Sequence, residues 1–351
     1  RDKNNHPEFI SHSFGVKPEK YFYPASTIKL QVAALALEKL NQTPSIDKDT
    51  YLKIKAGFGS LEGVTVDNTA KKGLPTIGHY LHKLFVVSDN DAFNRLYEYL
   101  GPDHINSRMW ELGFPKTRIR HRLSLSLTER ENQYANAIQF YNDSGIIFEE
   151  PSRKMGIDLD SPFEDFLLGN CHNAMGEKVE EPMDFSKKNF MSIPDQHKFL
   201  IQLIFPNQNN SENQLSLSEL DQKFILSKMS MLPRHSTNPK YGAKYYDGYC
   251  KFFMFGDSKA RIPDHIKIFN KVGLAYGFVL DNAYIIDQKH GVEFFLTAVV
   301  YGNSNGVLND NIYDYDTLTI PFLSALGDAI YKYEKMREKK YAPDLTFFEQ
   351  L

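Results

Sequence analysis

Tryptophan occurs once in 351 residues and cysteine only twice, as Cys171 and Cys250. Two cysteines exclude a disulfide framework and leave a single bridge open. No apolar run approaches the roughly 18 residues that a membrane span needs, so no spanning segment is expected. An excess of charge of one sign is also missing. Lys and Arg number 41 against 44 Asp and Glu, a formal net charge of −3, so the chain carries no electrostatic footprint for nucleic acid. There is no Walker or dinucleotide fingerprint and no internal repeat. The 11 histidines show no HxxxH or HxH spacing with carboxylates. His79 and His82 stand at i and i+3, but no third ligand accompanies them. Neither a metal nor an organic cofactor is expected. Cys171 and His172 are adjacent and read as a loop cysteine beside a surface histidine, because catalytic Cys/His pairs are usually distant in sequence.

What the chain does have is ordinary globular material: 42% hydrophobic and 24% charged residues, with 26 Phe and 20 Tyr. Such a chain buries a large core. Residues 8–16 (EFISHSFGV) read as a strand. From Ser26 to Gln42, apolar positions at 28, 30, 32, 35, 37 and 40 predict a largely buried helix that Ser26 or Thr27 can cap. Helices follow over 76–87, after the triplet Ser88-Asp89-Asn90 to a closing Gly101, over 104–112, 193–205 and 216–231. The stretch 118–143 is irregular. So is 150–190, which reads as an insertion. Near the C-terminus, FNKVGLAYGFVLDNAYIID and GVEFFLTAVVYG read as strands, and a last helix spans about 318–339. This order suits one cooperative α/β unit: an α/β lobe from about 1–25 and 240–340, with a helical lobe from about 26–239.

Three short motifs can carry chemistry. Ser26-Thr27-Ile28-Lys29 puts Ser and Lys on one helix face, at the positive end of the helix dipole. A lysine partly desolvated there can lose its charge and take the serine proton. Ser88-Asp89-Asn90, between two apolar helical segments, can project Ser88 and Asn90 into a cleft. Lys271-Val272-Gly273 lies in an apolar strand, where the lysine can hold a carboxylate and the glycine lets substrate approach the backbone. Each has an ordinary alternative: a capping serine with a surface lysine, a polar helix junction, a strand-edge lysine beside a packing glycine. Their joint order, 62 and then 183 residues apart, resembles the combination S-x-x-K, S-D-N and K-T-G of class A β-lactamases and penicillin-binding proteins, with Val272 in the place of the threonine.

The surroundings YPASTIKL, SDNDAFNRLYEYLG and KVGLAYGFVLDNAYIID resemble that family as well, over roughly residues 8–335. The resemblance implies a β-lactamase/transpeptidase-like fold, an antiparallel sheet flanked by helices plus an all-α lobe. It implies that Ser26 is acylated, that Lys29 is a candidate base and that Ser88 relays a proton. Asn90 would bind a substrate amide and Lys271 a substrate carboxylate. The backbone N–H groups of Ser26 and Leu274, the latter just after Gly273, would form the oxyanion hole. Substrates would be small β-lactams or peptidoglycan-like peptides, and the protein an exported, periplasmic or cell-envelope monomer. The family fold opens with a helix and a strand before the one read at 8–16. Those two are expected upstream of Arg1, because a sheet missing an internal strand would expose unpaired backbone groups.

Two departures from the pattern bear on function. Val272 replaces a threonine whose hydroxyl helps bind a carboxylate, and Tyr276 is a candidate substitute. The deacylating glutamate of class A enzymes stands four positions before an asparagine. Here Asn136 fits the asparagine but Asn132 occupies the glutamate position, leaving Glu131 as the candidate base after a one-residue shift. With that base the reading is a serine β-lactamase. Without it, the readings are a D,D-peptidase or esterase, or a binding or sensory protein acylated without turnover.

Overall fold

The computed structural model describes residues 1–351 apart from 18, 164 and 207–213. The strand expected at 8–16 does not form. The stretch is irregular and largely exposed, with Ile10 at 84% and Phe14 fully in solvent. A strand requires a paired neighbour for its backbone groups. Among the described residues no ladder includes this segment, which is instead pinned by Phe9 against Phe205 and Phe295.

The apolar run after residue 25 forms a 3-10 turn, Ala25–Ile28, that passes into helix α1, Lys29–Asn41. Neither Ser26 nor Thr27 caps α1 by its side chain; the Thr27 hydroxyl donates to Pro24 O. Strand β1 (Tyr51–Ile54) follows, then α2 (Ile77–Val86), capped by Thr76, and α3 (Asn90–Leu100), capped by Asp89 and closed by Gly101. Helix α4 covers Pro102–Glu111 and the single turn α5 covers Glu129–Asn132.

The irregular stretches contain short strands that only tertiary pairing stabilises. They are β2 (Tyr134–Ala135), β3 (Ile138–Asn142), β4 (Gly145–Glu150), β5 (Arg153–Lys154), β6 (Leu167–Leu168), β7 (Cys171–Ala174), β8 (Glu177–Val179) and β9 (Met183–Asp184). Helices α6 (Ile193–Ile204) and α7 (Glu219–Ser230) precede another single turn, α8 (Phe252–Phe255). Strands β10 (Ile266–Ala275), β11 (Phe278–Asp287) and β12 (Val292–Tyr301) come next, then β13 (Val307–Leu308), α9 (Ile320–Met336) and α10 (Thr346–Glu349).

Strands β10, β11 and β12 form an antiparallel sheet in that order, so β10 is an edge strand. Alternation along it assigns its two faces. Ile268 and Val272 pack in a core with Phe253, Ile285 and Leu323, on the side covered by α8 and α9. Phe269 belongs to the larger core built by α1, α2, α3, α4, α6 and α7, and Lys271 and Gly273 share its face. Helix α1 runs through the middle of that larger core, with every residue from Val32 to Leu37 at 0% exposure. A third, aromatic cluster of Tyr21, Tyr23, Phe185 and Phe190 supports the segment leading into Ser26. Cys171 and Cys250 are both buried free thiols.

Candidate functional site

Ser26 is half-buried in the 3-10 turn, and Lys29, the first residue of α1, is fully buried one turn on. The Lys29 side-chain amine reaches across to the start of α3. It donates to Ser88 O at 2.6 Å and to Asn90 Oδ1 at 2.6 Å, with Ser88 Oγ at 3.4 Å. From the sheet, Lys271 Nζ donates to Ser88 Oγ at 2.7 Å and to Val272 O at 3.0 Å. Three distant segments thus bring Lys29, Ser88, Asn90 and Lys271 into one hydrogen-bonded cluster beside Ser26. Ser88 Oγ lies between the two amines.

The electrostatics follow from burial. Desolvation, and then the Lys271 charge, push the Lys29 pKa well below its usual value. Desolvation pushes Lys271 down to about 8. For Lys29, both effects favour the uncharged amine, the form able to accept a proton.

Two backbone positions here are strained. Ala25, directly before Ser26, has φ +47° and Ser88 has φ +57°, a region that non-glycine residues seldom enter. Gly273 meets a different demand. A Cβ there would lie 2.6 Å from Pro24 O and 3.2 Å from Ser26 N, so only glycine lets β10 lie flat against the turn that carries Ser26. Leu274 follows it, 38% exposed. Ser26 sits in the first turn of its helix, where N–H groups lack intrahelical acceptors.

Other expected site residues stand apart from the cluster. Val272 is turned into the α9-side core, 4% exposed, away from the face that carries Lys271. Tyr276 occupies the β10–β11 hairpin at φ +53°, its ring edge-on against Tyr23 and Phe185. Glu131 is engaged elsewhere. One carboxylate oxygen accepts from Ser60 N and Oγ at 2.8 and 2.7 Å, the other from Thr128 N and Oγ1 at 2.8 and 2.7 Å. These bonds close a capping box on α5 and hold the Glu131 pKa down to about 2. Asn132 Oδ1 accepts from Arg122 N, and Asn136 Nδ2 donates to Glu62 O. The stretch 129–136 therefore braces its own loop, and the one-residue shift that would bring Glu131 to Ser26 is not seen.

The segment that does reach the cluster is Leu123-Ser124. Asn94, four residues after Asn90 and so on the same face of α3, clamps Leu123 through both main-chain groups. Its Nδ2 donates to Leu123 O at 3.0 Å, and Leu123 N donates to its Oδ1 at 2.8 Å. Ser124 Oγ then accepts from Asn90 Nδ2 at 2.8 Å. The i, i+4 pairing of asparagines on a helix was a signal available in the sequence; the loop it holds was not. Behind β10 lies a further buried network absent from the motifs. Lys251 Nζ donates to Asn270 Oδ1 and Asn270 Nδ2 to Asp281 Oδ1, whose partner oxygen accepts from Phe252 N and Phe253 N. Burial lifts the Asp281 pKa to about 6.

Among solved structures, a beta lactamase from Xanthomonas campestris pv. campestris is 15% identical, covering 90% of this chain and 85% of its own, with a TM-score of 0.50. The beta-lactamase of Streptomyces albus G is 13% identical over 89% of this chain and 87% of its own, TM-score 0.50. An ancestral class A beta-lactamase is 14% identical over 90% and 88%, TM-score 0.50. At such identities the likeness establishes the fold: the antiparallel sheet flanked by helices, with a helical lobe. No curated protein matches the sequence. The sequence profile of the family described as "Beta-lactamase enzyme family" matches residues 10–217, more than half of the chain, and includes Ser26, Lys29, Ser88 and Asn90. With that profile and that fold together, the chain belongs to the beta-lactamase enzyme family.

Proposed function

We propose that the protein is a serine acyl-transfer hydrolase that takes a β-lactam or a related cell-wall amide or ester onto Ser26 and releases it slowly. One observation carries this reading. Lys29 is buried one turn after Ser26 and hydrogen-bonded to Ser88 O and Asn90 Oδ1, where burial and the Lys271 charge lower its pKa and favour the amine that can accept a proton. Ser26 Oγ attacks the carbonyl carbon, forming the ester bond, and its proton passes to Lys29 Nζ. The C–N or C–O bond then breaks. Its leaving atom takes a proton from Ser88 Oγ, which is resupplied by Lys29. The Ser26 and Leu274 backbone N–H groups receive the developing oxyanion, and Asn90 orients the substrate amide. A protonated Lys271 holds a substrate carboxylate.

Slow release rests on the chemistry of the cluster's partners. Among the described residues, the groups bonded to Lys29, Asn90 and Lys271 are carbonyls, hydroxyls and an amide. No carboxylate is among them to activate water, and Glu131 serves α5. This favours the peptidase, esterase or non-turnover alternatives over a rapid β-lactamase.

Pre-steady-state hydrolysis of a chromogenic cephalosporin tests the reading. The expected trace is a burst of about one equivalent followed by a much slower phase. Linear turnover of many equivalents without a burst would overturn slow release. No reaction at all would remove β-lactams as the substrate class.

A further inference from the structure

At the end of the sheet away from Ser26, three metal-ligating side chains from different segments converge. His265 precedes β10, Asp287 ends β11, and His290 lies in the turn to β12. Asp287 Oδ2 is 2.7 Å from His290 Nδ1 and 3.8 Å from His265 Nε2. All three ligating atoms lie within 4.8 Å of one another. Tetrahedral zinc with bonds of ~2.0–2.1 Å places its ligand atoms ~3.3 Å apart, so small side-chain rotations suffice.

The surroundings are built for such a site. Asp287 is fully buried, while the two histidine side chains are about one-third exposed, at 34% and 30%. A cation therefore has a fixed anionic anchor and a path from solvent. The anchor is itself held. Tyr331 on α9 donates to Asp287 Oδ2 at 2.6 Å, and His290 N donates to Oδ1 at 3.1 Å. Outer-shell donors of this kind orient metal-bound carboxylates.

We propose that His265, Asp287 and His290 form a divalent-cation site of the zinc class. Two imidazoles and one carboxylate suit Zn²⁺ or its borderline neighbours over Mg²⁺ or Ca²⁺. Three protein ligands leave at least one position for water, so the ion exchanges with solvent. Six residues of strand separate His265 from Lys271, about 20 Å, so the ion takes no part in acylation. It ties the start of β10, the β11–β12 turn and α9 together and so stabilises the sheet. The sequence hid this site because its ligands come from two strand ends and a turn, with no helical spacing to betray them.

Isothermal titration of the full chain with Zn²⁺ tests the site. One equivalent is expected to bind, with a concentration-dependent rise in Tm. His265→Gln with His290→Gln should remove that binding. Tyr331→Phe, which leaves all three ligands in place, should weaken it about 10–100-fold. The single variant His290→Gln changes a partly exposed turn residue and guards against a fold defect in the double variant. Absence of Zn²⁺ binding by the wild type, or equal binding by the double variant, would overturn the proposal. Neither result bears on the Ser26 chemistry.

Discussion

Lys29→Met should slow acylation of Ser26 by about 10²–10⁴-fold, the range that a positioned general base contributes. Methionine has nearly the length and volume of the lysine stem, so the 0%-exposed position at the head of α1 stays filled. What disappears is the amine proposed to take the Ser26 proton, together with the donors to Ser88 O and Asn90 Oδ1. Leaving those acceptors without Lys29 costs some stability, of order 1–3 kcal/mol each, so near-UV circular dichroism should accompany the kinetics. The pH profile separates a base from a scaffold. Only the unprotonated amine accepts a proton. In the wild type, acylation therefore falls as pH drops through the Lys29 pKa, which burial and Lys271 hold well below the usual lysine range. That limb should vanish in Lys29→Met. With a carboxylate-bearing substrate, both proteins should lose affinity above about pH 8, where Lys271 gives up its proton. A variant that keeps the acid limb would place the base elsewhere.

Gly273→Ala should reduce the acylation rate by about 10²-fold, the cost of misplacing reacting groups by roughly 1 Å. The new Cβ would stand 2.6 Å from Pro24 O and 3.2 Å from Ser26 N. Its main obstacles are backbone atoms and not a flexible side-chain end, so either β10 or the turn that carries Ser26 must move. Both changes degrade the proposed oxyanion pocket between Ser26 and Leu274, and they act on the rate with little effect on Lys271. Gly242→Ala is the control, since a Cβ there meets nothing within 4 Å, and its rate should match the wild type. Stopped-flow acylation of the two variants under one condition decides the matter. Equal rates would remove Gly273 from the positioning of Ser26.

The parts legible in the sequence are those whose signal is local. The Ala- and Leu-rich run after Ser26 predicts a buried helix because its spacing is helical. The three long C-terminal strands, β10 to β12, follow from dense β-branched and aromatic residues parted by short turns. Ser26, Lys29, Ser88, Asn90 and Lys271 stand out only as an ordered set, and the fold brings the last four into direct contact. The rest depended on tertiary partners. Residues 8–16 have strand composition, but among the described residues no ladder includes them. Strands β2 to β9 have little composition signal and exist through pairing, as where Tyr134 and Ala135 meet Lys154 and Arg153. Glu131 looked like a base because it is an acid in the expected loop. The same Thr128-to-Glu131 spacing also spells a capping box, and Ser60, 71 residues away, completes its hydrogen bonding.

Intact-protein mass spectrometry after addition of a penicillin, followed over time with Ser26→Ala alongside, tests the central claim most directly. The account predicts one acyl adduct on the wild type that decays slowly, none on Ser26→Ala, and attachment at Ser26 on peptide mapping. An adduct on both proteins, or attachment at another residue, would contradict it.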